Sequence, residues 1–205
     1  MRYAMAIDVE SCAGCHACTV ACKSNNNLPN GILYSRVATK GGDYLDTASG
    51  TYPTDLTKKH YPIGCQHCSK PACVATCPTG ASYQREDGIV AVNTDECIGC
   101  GTCITSCPYD VRTLISEEPE YVVDFQLGDW DAPKHVAGTA EKCTFCIHRL
   151  ERGEKPACME LCLGRARYWG DLDDPESEIS KFLEGKTYER LLEDAGTEPN
   201  VYYVV

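Results

Sequence analysis

The 205-residue sequence is short of positive charge: 19 lysines and arginines stand against 30 aspartates and glutamates, a formal net charge of -11. A chain of that sign is repelled by a phosphate backbone, which excludes nucleic acid as a partner. Long apolar runs are also missing. The longest near the C-terminus, Val201-Tyr-Tyr-Val-Val205, falls well short of the roughly 20 residues of a membrane span. Residues 1–11 hold one arginine and no apolar stretch of the kind that directs export. No convincing constellation of acid, base and nucleophile can be assembled. What the chain has in excess is cysteine, with 16 residues, on a 43% hydrophobic background that suffices for one globular domain or two small ones.

The cysteines fall into four runs. The third, Cys97-x2-Cys100-x2-Cys103-x3-Cys107-Pro108, has the spacing of an iron-sulfur ligand loop: three cysteines two residues apart wrap a tight loop around one cubane. The fourth cysteine is expected on the helix that follows and, in two-cluster ferredoxins, binds the other cluster, so one run demands a partner. Nineteen residues upstream ends Cys65-x2-Cys68-x4-Cys73-x3-Cys77-Pro78. The first run is Cys12-x2-Cys15-x2-Cys18-x3-Cys22, and the last is Cys143-x2-Cys146-x11-Cys158-x3-Cys162.

Disulfides do not suit this pattern, because cysteines at three-residue intervals in a tight loop cannot all reach partners at the required distance and angle. Structural zinc fits little better. It needs two separated Cys-x2-Cys knuckles, which only Cys65/Cys68 and Cys143/Cys146 resemble, and a third cysteine after two more residues is superfluous. Four cubes with complete thiolate sets imply a wire for single electrons, and each oxidised cube with its thiolates adds about two further negative charges.

Adding 85 to Ala6, Cys12, Gly14, Cys15, Cys18 and Cys22 gives Ala91, Cys97, Gly99, Cys100, Cys103 and Cys107. The same offset carries Lys70-Pro-Ala-Cys73, Cys77 and Ala81 onto Lys155-Pro-Ala-Cys158, Cys162 and Ala166, so the chain reads as an internal duplication. The repeat need not be the folding unit. Runs two and three lie close enough to close one ferredoxin-like unit across the repeat boundary, which leaves runs one and four to pair. The expected fold is α+β, with two ferredoxin-like modules: residues 65–109 form one, and residues 1–64 plus 110–170 form the other with its insertions.

Arg2 to Val9 alternates like a half-buried strand, with Tyr3, Met5, Ile7 and Val9 on one side, and Ile89 to Asn93 does the same before Cys97. Asn25-Asn-Asn27-Leu-Pro29 should end the first helix. Lys23 to Gly64 and residues 109–142 read as irregular insertions, the second carrying Tyr121-Val-Val-Asp-Phe125 and Trp130. Such segments often contact partners, and the plainer reading is a solvated loop with one short strand, notably for residues 40–50. Residues 171–205 form a helical tail packing on the core or a partner. Asp174-Pro175-Glu176 is its expected helix start, Tyr188, Leu191 and Leu192 continue the pattern, and Val201 to Val205 adds a strand. His16, His67 and His148, each beside a ligand, are expected as surface residues rather than donors to cluster sulfur.

On these residues the sequence resembles the iron-sulfur electron-transfer subunits of the dimethyl sulfoxide reductase superfamily, polysulfide and arsenate reductase types. The motifs are Tyr3-Ala-Met-Ala-Ile-Asp8, Cys73-x3-Cys77-Pro-Thr-Gly-Ala81, Cys107-Pro-Tyr109, Lys142-Cys-Thr-Phe-Cys146, Pro156-Ala-Cys158 and Gly170-Asp-Leu-Asp-Asp-Pro-Glu-Ser177. The resemblance implies four 4Fe-4S clusters about a pseudo-twofold. Cluster 1 would take Cys12, Cys15, Cys18 and Cys162; cluster 2, Cys22, Cys143, Cys146 and Cys158. Cluster 3 would take Cys65, Cys68, Cys73 and Cys107; cluster 4, Cys77, Cys97, Cys100 and Cys103. It also implies a large molybdenum or tungsten bis-pterin catalytic subunit and, in some relatives, a quinone-handling membrane anchor. Some relatives have tryptophan where Cys100 stands and carry a three-iron centre. Leu163 follows Cys162 where the family usually has proline. Service to a hydrogenase or formate-oxidising complex is the alternative, though such subunits usually lack the Gly170 to Ser177 flank; a non-redox scaffold is a further one. A protein folded around clusters in the cytoplasm cannot be threaded unfolded, so work outside the membrane would require co-export with a partner bearing a twin-arginine signal, which is the favoured location over the cytoplasm.

Overall fold

The computed structural model describes residues 1–39 and 48–205. In chain order the elements are β1 (Tyr3–Asp8), α1 (Ala17–Asn25), β2 (Ser35–Thr39), β3 (His60–Gly64), α2 (Ala72–Ala75), β4 (Ser82–Gln84) and β5 (Val90–Val92). There follow α3 (Thr102–Thr105), β6 (Thr113–Ile115), β7 (Thr139–Glu141), α4 (Ile147–Leu150), α5 (Ala157–Glu160), β8 (Arg167–Asp171), α6 (Glu178–Leu183), β9 (Tyr188–Glu189) and β10 (Val201–Val204). The class is α+β, with short helices on small sheets.

The largest sheet has the order β8-β1-β10-β9. β1 runs antiparallel to β8 and parallel to β10, which makes it central. Its alternation has the expected period but a different consequence. Met5, Ile7 and the following Val9 face the main core with Ile89, Phe145, Trp169 and Tyr203. Ala4 and Ala6 are equally buried on the other face, under Ile179 and Phe182 of α6. The small side chains let the helix approach the sheet, so β1 is covered on both sides rather than half-buried.

The tail departs from the expected helix in two ways. Asp174 accepts from the Glu176 amide (2.9 Å) in a side-chain turn, and the helix starts three residues later, where Ser177 caps it by accepting from Ser180 N (3.3 Å). It ends by Gly185, whose φ of +69° suits glycine. Tyr188 then pairs with Val204 instead of prolonging the helix. The tail is therefore a short α-helix, two strands and a 3-10 turn at Glu193–Ala195 between them, and β10 lies inside the main sheet.

Neither insertion is wholly irregular. The first contains the ladder β2–β3, and the second opens and closes with β6 and β7, which pair with each other. No strand forms at Tyr121 to Phe125, where Val122 and Phe125 are exposed. Of the loop expected over residues 40–50, residues 40–47 lie outside the described residues. The two-stranded β4–β5 ladder pairs Ser82 with Val92, Tyr83 with Ala91 and Gln84 with Val90. Shifted by 85, these are the Arg167–Ile7, Tyr168–Ala6 and Trp169–Met5 pairs of β8 and β1.

Candidate metal centres

All 16 cysteines are free thiols, and the fold gathers them. Cys12, Cys15, Cys18 and Cys162 line one small internal cavity. A second is lined by Cys22, Cys143, Cys146 and Cys158, with Cys65 at its wall. A third is lined by Cys65, Cys68, Cys73 and Cys107. The remaining cysteines are Cys77, Cys97, Cys100 and Cys103, where the charge of Cys77 acts on the Cys100 thiol. A groove of about 780 Å³, far larger than these cavities, lies over Arg36, Tyr61 and Tyr109 and is lined by no cysteine. Size is therefore a poor guide here.

The loops are built by left-handed backbone. Gly14 and Gly99 have φ of +65° and +66°, and the residues two further on, His16 and Gly101, have +58° and +73°. These reversals curl each loop inward. Glycine is also required sterically at 99, because a Cβ there would lie 2.3 Å from the Gly138 carbonyl oxygen. Of the last cysteines of the four runs, only Cys22 lies within the helix as expected; Cys77, Cys107 and Cys162 follow their one-turn helices, because those helices are too short to reach them.

The donor set fits a cluster and fits free thiols badly. Burial, then repulsion from Cys143, Cys146 and Cys158, raises the Cys22 thiol well above its ordinary pKa. Burial pushes Cys146 up to about 11, with Cys158 adding to it, and Cys68 to about 11, with Cys65 and Cys73 adding to it. Four thiolates so crowded need multivalent positive charge among them, as an iron cube supplies. Donors already point at the sulfurs: Ser82 N to Cys77 and Ala166 N to Cys162 at 3.3 Å, and Ala140 N to Cys97 and Phe145 N to Cys143 at 3.4 Å. The Asn26 amide donates to Cys22 Sγ at 3.6 Å and lies 3.9 Å from that of Cys146.

The three histidines divide. His16 is exposed, as expected. His67 is fully buried, correcting the surface assignment: it stacks on Phe145 at 3.7 Å, and its Nδ1 accepts from Val90 N at 3.1 Å. That bond puts the proton on Nε2, and burial, followed by the charges of Lys142 and Arg112, holds the ring neutral. His148 is half-buried with Nε2 3.2 Å from Asp129 Oδ2. Sequence reasoning missed the buried cations Arg112, Lys142 and Arg167, since no motif distinguishes them from surface charge.

Such a fold and donor set define a multi-cluster iron-sulfur electron carrier. A family profile described as "4Fe-4S dicluster domain" matches residues 56–120 and 130–172. The iron-sulfur subunit of a proposed dimethyl sulfoxide reductase of Halobacterium salinarum is 43% identical over 208 residues, covering 99% of this chain and 79% of that protein. The iron-sulfur subunit of an arsenate respiratory reductase of a Shewanella species is 36% identical, covering 100% and 96%. A polysulfide reductase component of Wolinella succinogenes is 38% identical, covering 99% and 94%. The chain belongs to this 4Fe-4S dicluster family of iron-sulfur subunits. It is a non-catalytic electron-transfer subunit that carries four 4Fe-4S clusters.

Proposed function

We propose that the chain is the wire of a reductase complex, moving electrons through clusters 1, 2, 3 and 4 in that order, each held by the ligand set given above. The observation that carries this reading is the placement of exposed cysteine. Cys15 and Cys100 alone among the sixteen are exposed, and they belong to the two terminal sets. Between them the sets adjoin in sequence: Cys18 and Cys162 act electrostatically on Cys158, and Cys65 acts on Cys143. Cys65 and Cys103 both act on Arg112. A row in which only the terminal sets have an exposed cysteine favours entry and exit of electrons at its ends.

Two ferredoxin-like modules related by a pseudo-twofold account for this row. Supporting that reading are the shared register of β4–β5 and β8–β1 and the stacking of His67 on Phe145, which occupy the same place in runs two and four. In this division residues 65–109 form the inner module, and residues 1–64 plus 110–170 form the other with its insertions. The partners would be a large molybdenum or tungsten bis-pterin catalytic subunit and, in some assemblies, a membrane anchor; among the described residues no helix is long and apolar enough to cross a membrane. Val20, Leu161 and Leu163 near one end and Ile98 at the other are exposed apolar side chains suited to docking. Co-export with the catalytic subunit would place the complex outside the cytoplasmic membrane.

The test is anaerobic purification with metal and sulfide analysis, expected to give about 16 iron and about 16 acid-labile sulfide per chain. Zinc in their place, without visible absorption that bleaches on reduction, would refute the wire. A catalytic subunit of another cofactor class co-purifying with the chain would refute the partner.

A further inference from the structure

We propose that Arg167 and Arg112 are shared electrostatic tuners, one for each pair of clusters, each raising the potentials of both clusters in its pair. This rests on the four-cluster reading above.

The geometry is duplicated although the residues are not. Arg167 is buried in β8, where Nη1 donates to Met5 Sδ at 3.1 Å and reaches Cys158 Sγ at 3.7 Å, and the guanidinium is also within hydrogen-bonding reach of the Cys18 sulfur. Cys158 and Cys18, assigned to clusters 2 and 1, are the two charges acting most strongly on it after burial. The offset of 85 maps Arg167 onto Ser82, Cys158 onto Cys73 and Cys18 onto Cys103. Serine cannot supply the charge. Arg112 enters instead from the foot of β6: its Nη1 donates to Ser82 Oγ at 2.9 Å and its Nη2 to Cys73 Sγ at 3.0 Å. After burial, its strongest neighbours include Cys73, Cys65 and Cys103, which are assigned to clusters 3 and 4.

Two guanidinium groups thus arrive from non-equivalent positions at equivalent cysteines. Shared ancestry of the two halves does not explain that convergence, and packing alone does not demand a cation. A buried, permanently charged group lying between two acceptors of electrons favours the more negative, reduced form of each. It also screens each cluster from an electron already resting on its neighbour. Arginine is suited to this because its planar fork donates to two sulfurs at once and does not deprotonate.

The experiment is potentiometric titration of the full-length holoprotein, followed by electron paramagnetic resonance, for Arg112→Gln and Arg167→Gln and for the lysine substitution at each site. At a fixed solution potential, each glutamine variant should show at least a tenfold fall in the reduced-to-oxidised ratio of two clusters, equivalent to 59 mV for a one-electron couple. The two clusters displaced by Arg112→Gln should be the two that Arg167→Gln leaves in place. Lysine should restore much of the shift, because it keeps the charge. If a glutamine variant loses iron, Ser82→Ala and the lysine variants decide: Ser82→Ala should move the Arg112 pair downward while retaining iron. Movement of one cluster only, of all four together, or of none with iron retained would overturn the proposal. A wild-type protein without four clusters would instead refute the reading beneath it.

Discussion

Tyr203 offers the sharpest test of what the C-terminal strand does. Its side chain is fully buried in β10, opposite Ile7 of β1, and its hydroxyl donates to the Pro62 carbonyl at 2.9 Å. Pro62 lies in β3, three residues before Cys65, so this bond fastens the tail to the approach of the second ligand run. Tyr203→Phe keeps the ring and leaves a buried carbonyl unsatisfied, at a cost of about 1–3 kcal/mol. Tyr203→Ala also removes the ring that packs at 5.4 Å from Tyr61, and aromatic truncations in cores cost about 3–5 kcal/mol. If cluster loss proceeds through local opening of this sheet, iron release to a chelator should accelerate roughly 5- to 150-fold in the phenylalanine variant. The alanine variant should be faster again. The assay is anaerobic bleaching of visible absorbance with excess chelator. Wild-type release rates in Tyr203→Ala would show that the tail is not part of the structure guarding the clusters. Equal rates in the two variants would assign the whole effect to the hydrogen bond.

Two further outcomes follow from particular contacts. Gly99→Ala places a methyl against the Gly138 carbonyl at a φ of +66°, so iron should fall from about 16 to about 12 per chain as cluster 4 alone is lost; full retention would show that the loop relaxes. His135 is buried with both ring nitrogens facing acceptors, Glu141 Oε2 at 2.7 Å and the Asn26 carbonyl at 2.9 Å. Burial lowers its pKa, but Glu141 and then Asn26 outweigh that, and the net shift is upward. A folded-state pKa raised above the unfolded value gives stabilisation that is complete below the unfolded pKa and lost as pH rises through the folded one. The melting-temperature difference between wild type and His135→Gln should therefore be largest below the ordinary histidine pKa of 6.5 and shrink as pH rises above it. A difference constant through that rise would refute the charged pair.

The ligand runs were legible because cluster chemistry acts over a few residues. Spacing of two between cysteines, with Gly14 or Gly99 inside the loop, is dictated by the radius of the turn, and the sequence carries it openly. The strand before each of the first and third runs was legible for a similar reason, since alternation is local. What local pattern could not reveal was the second layer on β1: Ala4 and Ala6 read as the indifferent face until α6, more than 170 residues away, covers them. The helix start failed at shorter range. Asp174-Pro175-Glu176 has suitable residue types for a cap, yet Asp174 spends its side chain on a tight turn, and Ser177 has the same chemistry three residues later. His67 was misjudged because a histidine beside a surface loop and one stacked on Phe145 look identical in sequence.

The insertions show most clearly why environment is harder to read than ligation. Residues 109–142 looked like a detour between ligand runs, yet their two ends lie among the clusters. Arg112 precedes β6 and donates to Cys73, the Ala140 amide in β7 donates to Cys97, and Lys142 follows β7, buried against the Val90 and Cys143 carbonyls. The middle of the segment exposes Val122 and Trp130, while Leu127 N donates to Asn27 Oδ1 and Asp129 pairs with Arg149 and Arg152. A ferredoxin-like fold holding thiolates in an acidic chain must offset a large buried negative charge, and the tight Cys-x2-Cys loops carry no lysine or arginine of their own. The charge has to be brought from elsewhere in the chain. A ladder such as β6–β7 can deliver it rigidly, because its hydrogen bonds fix the cation and the donor amide in one register. Extending the segment therefore brings fixed positive charge to the cysteines at its base.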